Sequence, residues 1–388
     1  MTSPMKKFRI QTLGCKVKQY ESQAIREKLL SRGMKEAGRA ENAQLCVVNT
    51  CTVTAKADRE SRYAVRYLRK RNPGARIIVT GCLVKNKNKK ELCADRITFF
   101  EGRTRAFLKI QDGCDNFCAF CKVPLVRGKP KSAPLAHVVE EARGLARAGY
   151  KEIVLTGICI GKYGKDLKPR SSLADCIRAL ERIKGIARIR ISSLEPQDVV
   201  PALVEKLSSS EKLCPHLHIP LQSGDDAILK RMNRKYTGKG FVSLVKGIRR
   251  RVKDFALSTD VIVGFPGESE PQFLNTLKAI KSVTPMRVHI FPFSPRPGTR
   301  GCRLDGRVDE RQVKERCGRL RALAGQCRAA FLGKFKGRKM ELLVEARSKD
   351  RPGLWEGYTP NYVRAAFKSG KAKPNALVRV TLEPIFQG

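Results

Sequence analysis

Short apolar runs rich in Ile, Val and Leu alternate with longer amphipathic stretches from the amino terminus to about residue 293. This alternation limits the fold more than any other feature of the chain. Parallel strands need crossover connections of about a dozen residues or more, usually helices, so strand–helix–strand periodicity predicts α/β architecture. FRIQTLG (8–14), QLCVVNT (44–50) and RIIVTGC (76–82) form a first series and predict a Rossmann-like parallel α/β domain over residues 1–100. A helix around Asp58–Arg71 is stopped by Asn72-Pro73-Gly74. Lys85, Lys87, Lys89 and Lys90 then make a basic connector. The alternation restarts with RAFLKI (105–110), KEIVLTG (151–157), RIRISSL (188–194), HLHIPLQ (216–222), STDVIVGF (258–265) and RVHIFPF (287–293). Helices fit between them, for example at Leu135–Ala148 and Ser171–Lys184, and a helical stretch near Asp309–Phe335 closes the region. Such a series predicts a partial (βα)6 barrel over residues 101–333, with its chemistry at the carboxyl ends of the strands. From Met340 to Phe386 the segments MELLVEA and ALVRVTL are separated by Gly, Pro and Asn, which predicts a small β-barrel over 334–388.

The cysteines are of two kinds. No signal peptide or membrane-length apolar run is visible, which places the chain in the cytoplasm, where thiols stay reduced. Its 14 cysteines are therefore candidates for metal or cluster ligation rather than disulfides. Cys46, Cys93, Cys159, Cys176, Cys214, Cys302, Cys317 and Cys327 sit alone in ordinary sequence and are assigned to packing. Cys15, Cys51 and Cys82 each follow or close a strand of the first series, about one βαβ repeat apart. In a parallel sheet they would share the ligand-binding edge, three unrelated core thiols being the alternative. Cys114, Cys118 and Cys121 instead share one loop, GCDNFCAFC, after the first strand of the second series. Structural zinc wants a fourth ligand, and the nearest histidine, His137, falls in an amphipathic helix. A [4Fe–4S] cube held by three cysteines keeps one iron open for a small molecule.

With 79 Lys and Arg against 36 Asp and Glu, the formal net charge is +43. Such a field draws in polyanions, among which nucleic acid is the commonest in cells. Arg59, Arg62, Arg66 and Arg69 align on one face of their helix, as an RNA-facing stripe or a solvated one. Trp355, Tyr358, Tyr362 and Phe367 lie among Lys and Arg, and suit either base stacking or the core of a tiny barrel.

The CxxxCxxC spacing, with Phe120 before its last cysteine, resembles the radical S-adenosylmethionine enzymes. The runs QTLGCK, QYES, NTCTVT, VTGC, FLKIQDGC, HLHIPLQSGDDAILKRMNRKYT, TDVIVGFPGE and FPFSPRPGT resemble the methylthiotransferases of that group over nearly the whole chain. The resemblance extends to a carboxyl-terminal RNA-binding TRAM β-barrel. It implies one [4Fe–4S] cluster on Cys114, Cys118 and Cys121, chelated at its open iron by S-adenosylmethionine, and a second [4Fe–4S] cluster on Cys15, Cys51 and Cys82. In that family one electron cleaves S-adenosylmethionine to a 5′-deoxyadenosyl radical, which abstracts hydrogen from an unactivated C–H bond. Sulfur then comes from the auxiliary cluster and the methyl group from a second S-adenosylmethionine. The radical fold further implies that Phe120, Thr156, Gly157, Glu195, Gln222 and Ser223 line the S-adenosylmethionine pocket. The implied partners are the tRNA anticodon loop and a reducing electron donor such as flavodoxin or ferredoxin, with no membrane.

NTCTVT (49–54) and QTLGCK (11–16) are most similar to the branch acting on N6-threonylcarbamoyladenosine next to the anticodon. That base carries a carboxylate, so its pocket should offer a cation; Lys18, Arg127 and Lys131 lie closest to the cluster motifs. The alternatives are a methylthiotransferase for isopentenyladenosine or for a ribosomal-protein aspartate, and a non-catalytic iron–sulfur RNA-binding redox sensor. Three positions depart from the family pattern: Lys18 where Asn is usual, Gly157-Ile158-Cys159 after the second barrel strand, and Lys131-Ser132-Ala133 after the first cluster motif.

Overall fold

The computed structural model describes residues 6–38, 40–84, 92–94, 96–383 and 385. The basic run at Lys85, Lys87, Lys89 and Lys90 lies outside the described residues. The amino-terminal sheet contains β1 (Lys7–Thr12), β2 (Lys35–Glu36), β3 (Leu45–Thr50) and β4 (Arg76–Gly81), all parallel, in the order β2-β1-β3-β4. The apolar run LCVVNT is continuous because helices cover both faces of β3. Cys46 and Val48 pack on Ala64 and Leu68 of helix Ala55–Arg71, whereas Val47 and Phe8 pack on Ile25 and Leu29 of helix Lys16–Ser31. The latter helix is buried on a second side, where Tyr20 and Ala24 join the core of the central region. Two-residue β2 carries no periodic signal and was not expected.

In the central region β5 (Arg105–Lys109), β8 (Glu152–Thr156) and β9 (Arg188–Ile191) pair in parallel, as do β10 (His216–His218), β11 (Ala256–Val263) and β12 (Arg287–Pro292). The bridges of Ile189 with Leu213 and of Ser193 with His218 join the two triplets into a six-stranded partial barrel. HLHIPLQ keeps only three residues of ladder. Pro220 has no N–H to donate, and Gln222 turns to a φ of 63°. A small antiparallel hairpin, β6 (Gln111–Asp112) with β7 (Lys131–Ser132), frames the three-cysteine loop.

After helix Glu310–Gly333 come β13 (Lys339–Arg347), β14 (Trp355–Tyr358), β15 (Arg364–Phe367) and β16 (Leu377–Thr381), antiparallel in the order β15-β14-β13-β16. A register shift between Val344 and Ala346 bends β13 so that this TRAM-like sheet curls over its own core. Trp355 and Phe367 fill that core with Leu342, Val344 and Phe335, so they are packing residues rather than free stacking platforms. Ala256 and Met286 of the barrel join the same cluster, and polar contacts extend the joint. Arg188, first in β9, donates to the carbonyls of Tyr358 (2.9 Å) and Glu341 (3.0 Å). Arg190 donates to the carbonyl of Pro360 at 2.7 Å and forms a buried pair with Glu152 at 2.7 Å. The carboxyl-terminal sheet therefore floors the barrel at the amino ends of its strands.

Candidate cluster sites and the barrel cavity

The loop bearing Cys114, Cys118 and Cys121 leaves β6 at Gly113, where φ is +73° and a Cβ would fall 2.0 Å from the Lys129 carbonyl oxygen. Only glycine permits that approach. Main-chain bonds then fix the loop: Cys114 N–H to Gly128 O (3.0 Å), Ala119 N–H to Met232 O (2.9 Å) and Gly301 N–H to Ala119 O (2.6 Å). Donors point at the sulfurs. Asn116 N–H faces Cys114 Sγ and Val123 N–H faces Cys121 Sγ, both at 3.5 Å, and Arg234 Nη1 lies 3.0 Å from Cys118 Sγ. Burial pushes the Cys121 thiol up to about 12. Cys114 is instead lowered to about 7, chiefly by a hydrogen bond with the Cys159 thiol.

That contact corrects the assignment of Cys159 to packing. Its Sγ is shared among Cys114, Asn116 Nδ2 (3.8 Å) and Asp198 Oδ2 (3.8 Å), so it belongs to the wall of this site. The other isolated cysteines fit the packing assignment better: Cys46, Cys176, Cys214, Cys317 and Cys327 are all buried.

The second triad is assembled from three strands. Register pairs Thr50 with Gly81, so Cys51 and Cys82 leave β3 and β4 side by side. A bond from Leu13 N–H to Asn49 O (2.9 Å) brings the β1 loop beside them, and Cys15 caps helix Lys16–Ser31. Gly14 has φ +104°, and a Cβ there would meet Cys51 Sγ at 2.9 Å. The Cys51 thiol is raised by burial first and then by its neighbours Cys82 and Cys15. Arg127 Nε donates to Cys82 Sγ at 3.4 Å.

Both triads fit sulfur clusters. Each is all-thiol, and each has a guanidinium aimed at sulfur, of the kind that tunes a metal centre. Among the described residues neither triad draws its three sulfurs within 4.8 Å of one another. A single zinc would hold them about 3.8 Å apart, from Zn–S bonds of about 2.3 Å.

A charged network ties the two triads together. Glu21 accepts from Lys18 (2.8 Å), Lys109 (3.3 Å) and Arg127 (3.2 Å), and Asp112, two residues before Cys114, accepts from Lys109 and Arg127, both at 2.6 Å. Lys18 and Arg127 are thus committed to carboxylates of the protein itself, which corrects their selection as candidates for a substrate carboxylate. Lys131 stands exposed on β7.

A cavity of about 730 Å³ occupies the barrel lumen, lined among others by Cys15 and Lys16 on one wall and Thr156 and Gly157 on another. Glu195 forms an ion pair with Arg234, the residue that also reaches Cys118. Phe120 packs half-buried beside Ala119, Met232 and Phe265. Gln222 is buried and its Oε1 has no partner, an acceptor left for a ligand. Ser223 is fully buried, its Oγ turned to Thr276 and to the Asp225 N–H, away from the cavity. Sequence reasoning gave no role to Arg234 or Asn233, although both stand in the run KRMNRKYT. Asn233 Nδ2 bonds the carbonyls of Asn116 and Phe117 inside the cluster loop. Nor was the histidine content of the lumen foreseen. Three of the chain's 4 histidines line it, and His218 Nε2 lies 3.0 Å from Asp260 Oδ2.

Comparison with known proteins finds two family models along the chain. A model of the radical SAM superfamily matches residues 108–280, and one of an uncharacterized protein family, UPF0004, matches residues 7–99. The chain is 38% identical to a threonylcarbamoyladenosine tRNA methylthiotransferase of Chlamydia pneumoniae, across 97% of this chain and 96% of that one. It is 37% identical to the protein of the same name from Thermotoga maritima, across 97% and 94%. A tRNA-2-methylthio-N(6)-dimethylallyladenosine synthase of Alkaliphilus oremlandii is 31% identical, across 97% and 90%. Among solved structures, the radical S-adenosylmethionine methyltransferase TsrM of Kitasatospora setae shares the fold with a TM-score of 0.55, at 14% identity over 76% of this chain and 75% of that one.

Proposed function

The chain belongs to the methylthiotransferase family of radical S-adenosylmethionine enzymes, and on that premise we propose that it converts N6-threonylcarbamoyladenosine, next to the anticodon of tRNA, to the 2-methylthio derivative. One observation carries this reading: a single cavity in the barrel lumen has Cys15 of the auxiliary triad on one wall and the Thr156–Gly157 strand end, where S-adenosylmethionine is expected, on another. Two [4Fe–4S] clusters and S-adenosylmethionine, when bound, supply the electron, the radical, the sulfur and the methyl group.

The chain's own residues do the rest. Cys114, Cys118 and Cys121 hold one cluster, and Cys15, Cys51 and Cys82 the other. Arg234 fixes Cys118 and Glu195 together, at the edge where Phe120, Thr156, Gly157 and Gln222 meet S-adenosylmethionine. Ser223 supports that edge from within. The β5 edge of the barrel is covered by helix Lys16–Ser31, pinned by the bond from Tyr20 Oη to Glu141 Oε1 (2.7 Å), and the carboxyl-terminal sheet closes the floor. Water is thereby kept from the reacting carbon. The division into residues 1–100, 101–333 and 334–388 follows the same roles: auxiliary cluster, radical chemistry and RNA binding.

The reductant is a flavodoxin- or ferredoxin-type donor, and the enzyme works in the cytoplasm; no helix among the described residues is long and apolar enough to cross a membrane. The test is mass spectrometry of nucleosides from tRNA treated with the reconstituted, reduced protein. Formation of 2-methylthio-N6-threonylcarbamoyladenosine is the expected result. Modification of isopentenyl-tRNA at a comparable rate would show that the other tRNA branch is the right one.

A further inference from the structure

The lumen is polar where barrel interiors are ordinarily packed with branched apolar side chains. His216 and His218 of β10, Ser258 and Asp260 of β11, and Arg287 and His289 of β12 alternate along their strands and face the same cavity. Two buried polar atoms on its wall, Ser192 Oγ and His216 Nδ1, have no partner. A wall built this way expects a polar guest.

The sign of the wall says which one. The lining contributes five cations, Lys16, Arg105, Arg287, Arg328 and Arg364, against one carboxylate, Asp260. Arg105 is engaged by Glu345 (2.7 Å), Arg364 by Glu356, and Asp260 by His218. Lys16 and Arg287 form no ion pair with any described residue. Both charges reach the same place. The His289 ring is held below its usual range by burial first, with Asp260 opposing and Arg287, His218 and Lys16 adding to the shift.

We propose that Lys16 and Arg287 form the anion subsite of the lumen and take the carboxylate of the threonylcarbamoyl group, which makes them the residues that separate this substrate from an apolar isopentenyl one. The proposal rests on the substrate reading given above. Lys16 follows Cys15 directly, at the amino end of helix Lys16–Ser31, so a carboxylate held there places the attached base against the auxiliary triad. Arg287 opens β12 two residues before His289 and offers a planar fork suited to bidentate contact with a carboxylate.

The experiment compares two substrates on the full-length reconstituted enzyme: tRNA carrying the threonylcarbamoyl group as its free acid, and the same tRNA with that carboxylate converted to the methyl ester. The wild-type enzyme should lose about ten- to a hundredfold in kcat/KM on esterification, the worth of one or two charge-assisted hydrogen bonds. Lys16→Gln and Arg287→Gln should each lose a similar factor on the acid and much less on the ester. Lys16→Arg should restore discrimination. Because Lys16 adjoins a cluster ligand, iron is counted in every variant, and Arg287→Gln carries the test if Lys16→Gln loses iron. Undiminished discrimination between acid and ester in both variants overturns the assignment. So does an equal loss of S-adenosylmethionine affinity, which would mean that the carboxylate being bound is that of the cofactor. If the wild-type enzyme leaves the acid form unmodified, the substrate reading fails instead, and the two failures are told apart.

Discussion

The two cysteine triads solve the same problem in opposite ways. Cys114, Cys118 and Cys121 come from a single loop, whose shape is set by main-chain bonds within itself and to Gly128, Met232 and Gly301. Cys15, Cys51 and Cys82 come from three strands, and their convergence depends on the register of a whole sheet and on Gly14 and Gly81, both at positive φ beside Cys51 and Thr50. A local site depends on a few turns; an assembled one depends on a folded domain. The first should therefore tolerate distant damage that destroys the second.

Substitution of the proposed ligands themselves should have the largest effect and separate the sites by function. Alanine at Cys114, Cys118 or Cys121 should remove about half the iron and abolish 5′-deoxyadenosine formation. Alanine at Cys15, Cys51 or Cys82 should also remove about half the iron, yet leave some cleavage of S-adenosylmethionine while methylthiolation stops. Iron analysis and product chromatography read both, and stoichiometric zinc after anaerobic reconstitution would break the comparison at its root.

Gly14→Ala should come next. Its Cβ would sit 2.9 Å from Cys51 Sγ on a backbone at φ +104°, so the auxiliary cluster should be lost while the radical loop keeps its iron and its cleavage activity. Equal loss from both sites would mean that the assembled triad is no more fragile than the local one.

A third effect lies at the joint between the regions. Burial pushes the Glu141 carboxyl up to about 7, against the bonds from Tyr20 and the Ile97 N–H that lower it. The folded chain then holds this proton more tightly than the unfolded chain. The stability it contributes is complete below an unfolded value of 4.5 and is lost as pH rises through about 7. The loss amounts to about 3 kcal/mol. Denaturation midpoints measured from pH 5 to 8 should fall, and Glu141→Gln should flatten the profile.

The smallest effect concerns RNA. Arg59, Arg62, Arg66 and Arg69 are all exposed on helix Ala55–Arg71, and Tyr63 and Tyr67 stack between them with ring centroids 6.1 Å apart. Glutamine at two of these arginines should weaken tRNA binding several-fold and lower the salt slope by somewhat under one per lost phosphate contact. An unchanged slope would make the stripe a solvated face. Removing residues 334–388 is a cruder test, because it would also strip the acceptors from Arg188 and Arg190 and expose Ala256 and Met286.

What was legible in the sequence follows the same division. The CxxxCxxC loop announced itself by spacing alone, and the strand series gave the parallel sheets, because both are short-range patterns. For Cys15, Cys51 and Cys82 the regular repeat of strand and helix suggested a shared edge, and only the family resemblance made them a ligand set. Arg234 on Cys118, Arg127 on Cys82 and the pairing of Lys18 with Glu21 were not readable. A guanidinium or an ammonium looks alike in sequence whether it meets a sulfur, a carboxylate or water, and only the fold decides. The same limit hid the lumen: His216, His218 and His289 lie on strands whose alternation was plain but whose inner face was not.

The floor of the barrel has a consequence for how such chains diverge. Arg188 and Arg190 find their acceptors in the carbonyls of Glu341, Tyr358, Thr359 and Pro360. Every residue type supplies a carbonyl, so these two arginines constrain the path of the distal backbone and leave its spelling to the ion pairs Arg105–Glu345, Arg188–Glu341 and Arg338–Asp254. A chimera that grafts the last sheet of a distant relative onto this barrel should dock wherever that backbone path and those charged partners are kept. One inserted residue in the turn between Tyr358 and Tyr362 should undo it.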